Sequence, residues 1–181
     1  MADARPVRLY LAGPEVFAPD GAERAERMRK ICRAHGLEPL SPLDEDALDA
    51  HETLPPGTRI FRKDIGMIDR AHAVVANLRH FRGPEPDSGT AFEVGYGYGR
   101  GKRCYVFSDD GATVLERVGS FYPPVSHRAD GTPVDRDDVM IENFGVPFNL
   151  MLSESSTVVA GGFADAIARV AADVAAGLFD A

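Results

Sequence analysis

Residues 73–78 read AVVANL, six positions without a charge, between His72 and Arg79. So short and apolar a run leaves no solvent face, and it predicts a strand buried on both sides, as in the middle of a parallel sheet covered by helices. Residues 58–70 before it place Ile60, Phe61, Ile65 and Ile68 near helical spacing, with Thr58 as the expected cap. Residues 87–100 after it open with Asp87-Ser88 and predict a second helix, and Gly101-Lys102 hands over to a strand at 103–107 (RCYVF).

Outward from there the alternation continues in both directions. Residues 7–12 (VRLYLA) predict the first strand, ended by Gly13-Pro14, and Asp20 precedes a helix over 22–34 that stops at His35-Gly36. A short strand is expected near 38–40, and a strand at 156–160 with an amphipathic helix over 163–179 completes the series. The expectation is an α/β fold: one domain over residues 1–181, built on a doubly wound, flavodoxin-like, five-stranded parallel sheet in order 2-1-3-4-5, with helices on both faces. Two stretches break the pattern. Residues 41–57 are Pro-rich and acidic, and residues 120–138 hold Pro123, Pro124, Gly131 and Pro133. Both are expected to be long loops, the kind that carries function in compact domains.

Composition narrows the partners. The 181 residues hold 20 Lys and Arg against 28 Asp and Glu, a net charge of −8, which argues against a nucleic-acid polymer or an anionic membrane. No apolar run approaches the roughly 20 residues of a membrane span. Residues 7–13 are too short and wrongly flanked for a secretory signal, so a cytoplasmic location is expected. Cys32 and Cys104 form no C-x-x-C and read as reduced packing residues. His35, His51, His72, His80 and His127 form no H-x-x-x-H pair, so neither metal nor cofactor is expected.

Open α/β sheets bind ligands beyond the carboxyl ends of their strands, where the strand order reverses. The loop after the first strand, Gly13-Pro14-Glu15-Val16-Phe17, offers a glycine for close approach but lacks G-x-G-x-x-G and G-K-[ST], which removes the best evidence for dinucleotides and triphosphates. The loop after the third strand leads into residues 81–93, FRGPEPDSGTAFE, dense in carboxylates at a helix start. Asp87 stands where an N-cap belongs. Glu93 is harder to account for: it shares a helix face with Gly89 and Gly97 and is bordered by Ala91, Phe92 and Val94. A carboxylate in such company either points into a cavity or loses hydration without return. The two glycines leave room for a ligand or pack the helix on the sheet. Asp64 and Asp69 both suit solvent by composition, and Tyr10 reads first as a core aromatic, although a phenol at a strand end also serves as a partner for a carboxylate. Carboxylates gathered without a metal motif or a Ser/Cys nucleophile suggest glycosidic chemistry, in which one carboxylate attacks an anomeric carbon.

Three segments, Leu9-Tyr10-Leu11-Ala12-Gly13-Pro14-Glu15-Val16-Phe17, the stretch 81–95 with D-x-G-x-x-x-E intact, and the stretch 142–151 (ENFGVPFNLM), together resemble the nucleoside 2-deoxyribosyltransferase family. The resemblance spans roughly residues 7–151. It implies a transferase that exchanges the base of 2′-deoxyribonucleosides with free nucleobases, with Glu93 as the nucleophile that holds the sugar as a covalent ester. By the same resemblance Tyr10 orients that carboxylate, Asp87 bonds the sugar hydroxyls and Asp64 faces the base to manage its proton. Gly13 and Gly89 then border the substrate, and Phe17 stacks on the base by its place in the loop. Asn149 matches an asparagine that reaches a neighbouring subunit's site, implying a homo-oligomer. The segments look more like purine-preferring members, which implies a place in purine salvage, and a carboxylate at position 87 would repel a 5′-phosphate and favour free nucleosides. The connection 123–138 is longer than the family pattern. A nucleoside hydrolase using the same pocket is the nearest alternative, and a non-catalytic nucleoside-binding domain a more distant one.

Overall fold

A computed structural model describes residues 6–44 and 53–179; residues 45–52, within the expected loop at 41–57, lie outside the described residues. In chain order the elements are β1 (Arg8–Ala12), a 3-10 turn (Pro14–Phe17), α1 (Gly21–Ala34), β2 (Glu38–Leu40), α2 (Pro56–Arg70), β3 (Ala73–Asn77), α3 (Ser88–Gly99) and β4 (Arg103–Ser108). They continue with α4 (Val114–Phe121), β5 (Ser126–His127), β6 (Pro133–Val134), α5 (Leu150–Glu154), β7 (Thr157–Ala160) and α6 (Phe163–Ala175). Five strands form one parallel sheet in the order β2-β1-β3-β4-β7, which is the 2-1-3-4-5 order expected for the chain. The AVVANL run supplies β3, buried at all five strand positions in the centre of the sheet.

Strand alternation divides the core in two. Tyr10, Ala12, Val74, Ala76 and Val106 face one side, where they meet Met67 and Ile68 of α2 and Val94 of α3. Leu9, Leu11, Val75, Tyr105 and Phe107 face the other, against Cys32 of α1 and Ile167 and Val170 of α6. Tyr10 is therefore a core aromatic, on the side where its ring runs under α2 and α3. Gly97 brings α3 down onto the sheet, because a Cβ there would lie 2.6 Å from the Val74 side chain. Both cysteines are buried free thiols, one on each face.

Several local expectations are corrected. Thr58 does not cap α2: Pro55 holds the cap position and Pro56 starts the helix, its fixed φ suiting a first turn that needs no N–H there. Asp20 occupies the N-cap of α1, but its carboxylate accepts from Arg24 Nε at 2.8 Å rather than from the helix backbone. The stretch 120–138 is not one loop. It begins in the end of α4, which starts with a capping box between Thr113 and Glu116, and then forms a two-stranded antiparallel ribbon, β5 with β6. The closing helix stops at Ala175, shortly before Gly177 turns left-handed at φ 77°. Among the described residues no helix is long and apolar enough to cross a membrane.

The segment that follows the ribbon is fixed from below by Arg117 of α4. Its buried guanidinium pairs twice with Asp110, at 2.9 Å each, and donates to the Pro147 carbonyl at 2.7 Å. A planar fork satisfied on several sides is what a buried arginine requires. It also sets where residues 147–149 leave the core.

Candidate active site

A cavity of about 470 Å³ opens at the carboxyl ends of β1 and β3, the place where the strand order reverses. Tyr10, Glu93, Asp87, Asp64, Phe17, Gly13 and Gly89, scattered over the sequence, converge here. Each is delivered by a different local device. Tyr10 stands on β1 and reaches up between helices, so that its hydroxyl donates to Glu93 Oε1 at 2.6 Å. Glu93 lies on the second turn of α3, held over the cavity by a helix that Asp87 begins.

Asp87 is the N-cap of α3, and its Oδ2 accepts from Thr90 N at 2.9 Å and from Thr90 Oγ1 at 3.0 Å. Both bonds use the same oxygen. Capping and cavity lining are therefore compatible, since Asp87 also borders the cavity. Gly89 sits beside it, where a Cβ would press to 3.0 Å from that Oδ2. Of the two glycines flanking Glu93, Gly97 serves packing and Gly89 the cavity wall.

Gly13 ends β1 in a crowded corner: a Cβ there would run into the Glu15 carboxylate and approach Asn77 Cβ to 3.1 Å. Asn77, the last residue of β3, donates its amide to Glu15 and accepts from Arg79 N at 3.0 Å, fixing both turns beside the cavity. Phe17, at the end of the 3-10 turn, is 57% exposed. Its ring stacks on Phe81 at 5.2 Å between centroids, and the Arg82 guanidinium lies 4.8 Å from the Phe81 centroid. A flat ring supported from behind is a platform for another flat ring.

The cavity concentrates negative charge. Burial pushes Glu93 up to about 7 from its ordinary 4.5; the Tyr10 hydroxyl opposes that, and the charges of Asp64 and Asp87 add to it. Tyr10 is driven upward by burial first and then by Glu93 and Asp64, so it stays a neutral donor. Asp64 is also raised by burial, against the pull of Lys63. Asp69, by contrast, pairs with Arg100 at 2.9 Å and Tyr96 at 3.0 Å on the surface, as its composition suggests.

Asn149 is not in this cavity. It caps α5, accepting from Met151 N at 3.0 Å and donating to Glu142 Oε1 at 2.7 Å, and it borders two outer grooves instead. Sequence reading passed over Lys63, Thr90, Phe81 and Arg82. Thr90, Phe81 and Arg82 lie inside the carboxylate-rich 81–93 stretch, and Lys63 adjoins Asp64; what singles them out is burial and stacking, which a sequence does not display.

The sequence model of a family described as nucleoside 2-deoxyribosyltransferase matches residues 9–151. The chain belongs to that family. A structure of 2-desoxiribosyltransferase from Leishmania mexicana is 36% identical and superposes with a TM-score of 0.73, covering 92% of this chain and 98% of that one. The protein C191.05c of Schizosaccharomyces pombe, uncharacterized, is 30% identical over 169 residues, 86% of this chain and 79% of its own length. A conserved protein from Enterococcus faecalis V583, 18% identical with a TM-score of 0.55 over 91% of this chain and 97% of its own, shares the fold. As a nucleoside 2-deoxyribosyltransferase family member the chain is an enzyme of glycosyl transfer. The matched span runs from β1 into α5 and so contains Tyr10, Asp64, Asp87, Glu93 and Asn149.

Proposed function

We propose that the enzyme exchanges the base of 2′-deoxyribonucleosides, preferring purines, through an ester between the sugar and Glu93. The observation that carries this reading is the Tyr10–Glu93 bond in a cavity where burial first, and then the charges of Asp64 and Asp87, raise the proton affinity of Glu93. A carboxylate poised near neutrality, with one oxygen held by a phenol, presents its other oxygen as a nucleophile. Glu93 attacks C1′, the bond from C1′ to the base nitrogen breaks, and the base departs with the electron pair and gains a proton. A second base then attacks C1′, loses its proton and releases the Glu93 carboxylate. Two inversions give retained configuration.

The remaining residues divide the substrate between them. Asp87 accepts from the sugar hydroxyls and repels a 5′-phosphate, which favours free nucleosides. Asp64 faces the base and manages its proton, Phe17 stacks on it, and Gly13 and Gly89 give the sugar room. Asn149, outside the cavity of its own chain, serves the site of a neighbouring copy in a homo-oligomer; Tyr98 and Met151, exposed beside it, supply apolar surface for that contact.

Incubation with deoxyinosine and adenine is expected to yield deoxyadenosine and hypoxanthine. No exchange, or release of free deoxyribose at one rate with and without adenine, would overturn the transferase reading. Tyr10→Phe gives a finer check. The hydroxyl favours the ionised form of Glu93, so its loss raises the proton affinity of the nucleophile. The acid limb of kcat/KM is expected to move up by about one pH unit, the worth of one hydrogen bond to a charged group. An unmoved limb would place the phenol outside the chemistry.

A further inference from the structure

Lys63 is the one lysine among the buried residues, its side chain 5% exposed, and it lines the cavity beside Asp64. An ammonium carries three donors and a buried one should use them. Among the described residues a single bond is made, to the carbonyl of Pro42. The Asp64 carboxylate is adjacent, but Lys63 Nζ and Asp64 Oδ1 are 3.7 Å apart, beyond hydrogen-bond reach. Asp64 Oδ1 is buried and, among the described residues, has no hydrogen-bond partner. The two form an ion pair without a direct hydrogen bond, so that spare Lys63 donors and an unmatched Asp64 oxygen stand side by side in the cavity wall. Leaving such groups unmatched is costly, and a ligand that supplies an acceptor next to a donor would match both.

Their neighbours place the pair at the base end. Pro42, Leu43, Ile60 and Phe17 line the cavity with them and are apolar, and the further carboxylate there, Asp44, is already held by Arg29 at 2.6 Å and Ser41 N at 2.8 Å; Glu93, Asp87 and Thr90 line the part that the proposed reaction gives to the sugar. A largely apolar slot with one free donor and one free acceptor in its wall suits the edge of a flat heterocycle. We propose that Lys63 is a specificity-determining residue: its ammonium donates to an acceptor atom on the base edge while Asp64 Oδ1 accepts from the N–H next to it. The substrate class this selects is bases with an acceptor and an N–H on neighbouring edge positions: hypoxanthine offers O6 beside N1–H, and adenine offers N1 beside its 6-amino group, the same pair in opposite order, which the flexible lysine stem and its rotatable donors can follow. The inference rests on the base-exchange reading and assigns Lys63 a role within it. A site that hydrogen-bonds its substrate discriminates strongly against analogues lacking the partner atoms, because its own groups are then left unpaired.

The test compares adenine, hypoxanthine and benzimidazole as acceptors; benzimidazole keeps the fused rings but presents only C–H on that edge. Wild type is expected to favour adenine and hypoxanthine over benzimidazole by tenfold or more in kcat/KM. Lys63→Met is expected to lose about tenfold with the first two, mainly through a raised acceptor KM, and to stay within about threefold with benzimidazole. Equal use of all three by wild type would overturn the proposal, as would a uniform loss in Lys63→Met, the mark of a merely structural lysine. Should Lys63→Met not fold, Lys63→Gln, neutral and shorter, is judged by the same ratio. Absence of exchange with every acceptor would instead sink the base-exchange reading itself.

Discussion

Glu93→Ala is expected to abolish base exchange, with a loss of about a thousandfold or more in kcat, the scale on which covalent nucleophiles are missed when removed. Acid-quenched wild type incubated with deoxynucleoside and no acceptor is expected to carry the added mass of one deoxyribosyl group on the peptide containing Glu93, and the variant none. Loss of activity alone would also follow from a collapsed cavity. Formate separates the two outcomes: it fits the space that the side chain vacates and attacks C1′ from the same side, so it should restore base release in Glu93→Ala but not in wild type. Rescue requires that Tyr10, Asp87 and Asp64 still hold the substrate, hence that only the nucleophile is missing. A labelled ester on any other residue, or full activity in Glu93→Ala, would remove the mechanism.

The sheet was readable from the sequence because its signal is strong and local. AVVANL has no polar face to offer, so it could be placed only at the centre of the sheet. Glu93 was readable for a related reason: a carboxylate between Phe92 and Val94 contradicts its surroundings, and contradictions of that kind gather at functional sites. Asp87 was readable only in part, since in a sequence an N-cap and a cavity-lining carboxylate look alike, and the structure makes it both, with the Thr90 bonds on one oxygen. Asp64 and Lys63 were not readable from pattern at all. On α2 they are two ordinary charged neighbours, and what sets them apart is a bond from Lys63 to the carbonyl of Pro42, distant in sequence, which lines the same cavity with Leu43. The ribbon of β5 and β6 was missed because two residues per strand carry no periodicity; its ladder is held by the Arg128 bond to Asp138 and the turn around Asp135. Thr113-x-x-Glu116 was a legible helix start, hidden beside the proline cluster that follows.

Glu93→Gln is expected to stabilise the protein above neutral pH by about 3 kcal/mol, and to do almost nothing at pH 4. The sign follows from the direction of the shift. Glu93 stands at about 7 in the folded protein against 4.5 ordinarily, so the folded state holds its proton more tightly than the unfolded state does. The stability this confers is complete below 4.5 and disappears as the pH climbs through 7; beyond that, the fold carries a buried anion between Asp64 and Asp87. Glutamine has the same shape, accepts the Tyr10 hydroxyl through its amide oxygen and does not titrate. Melting curves of the two proteins should therefore coincide near pH 4 and separate by about 6–12 °C at pH 8, given roughly 2–4 °C per kcal/mol for a chain of this size. Parallel curves across that range would show that the carboxylate is solvated and not poised. If the curves separate, the quantity measured is the free energy with which the cavity resists the Glu93 charge. In the proposed reaction that resistance would fall as the charge passes into an ester with the sugar, so the instability above pH 7 and the readiness to attack C1′ would share one electrostatic origin.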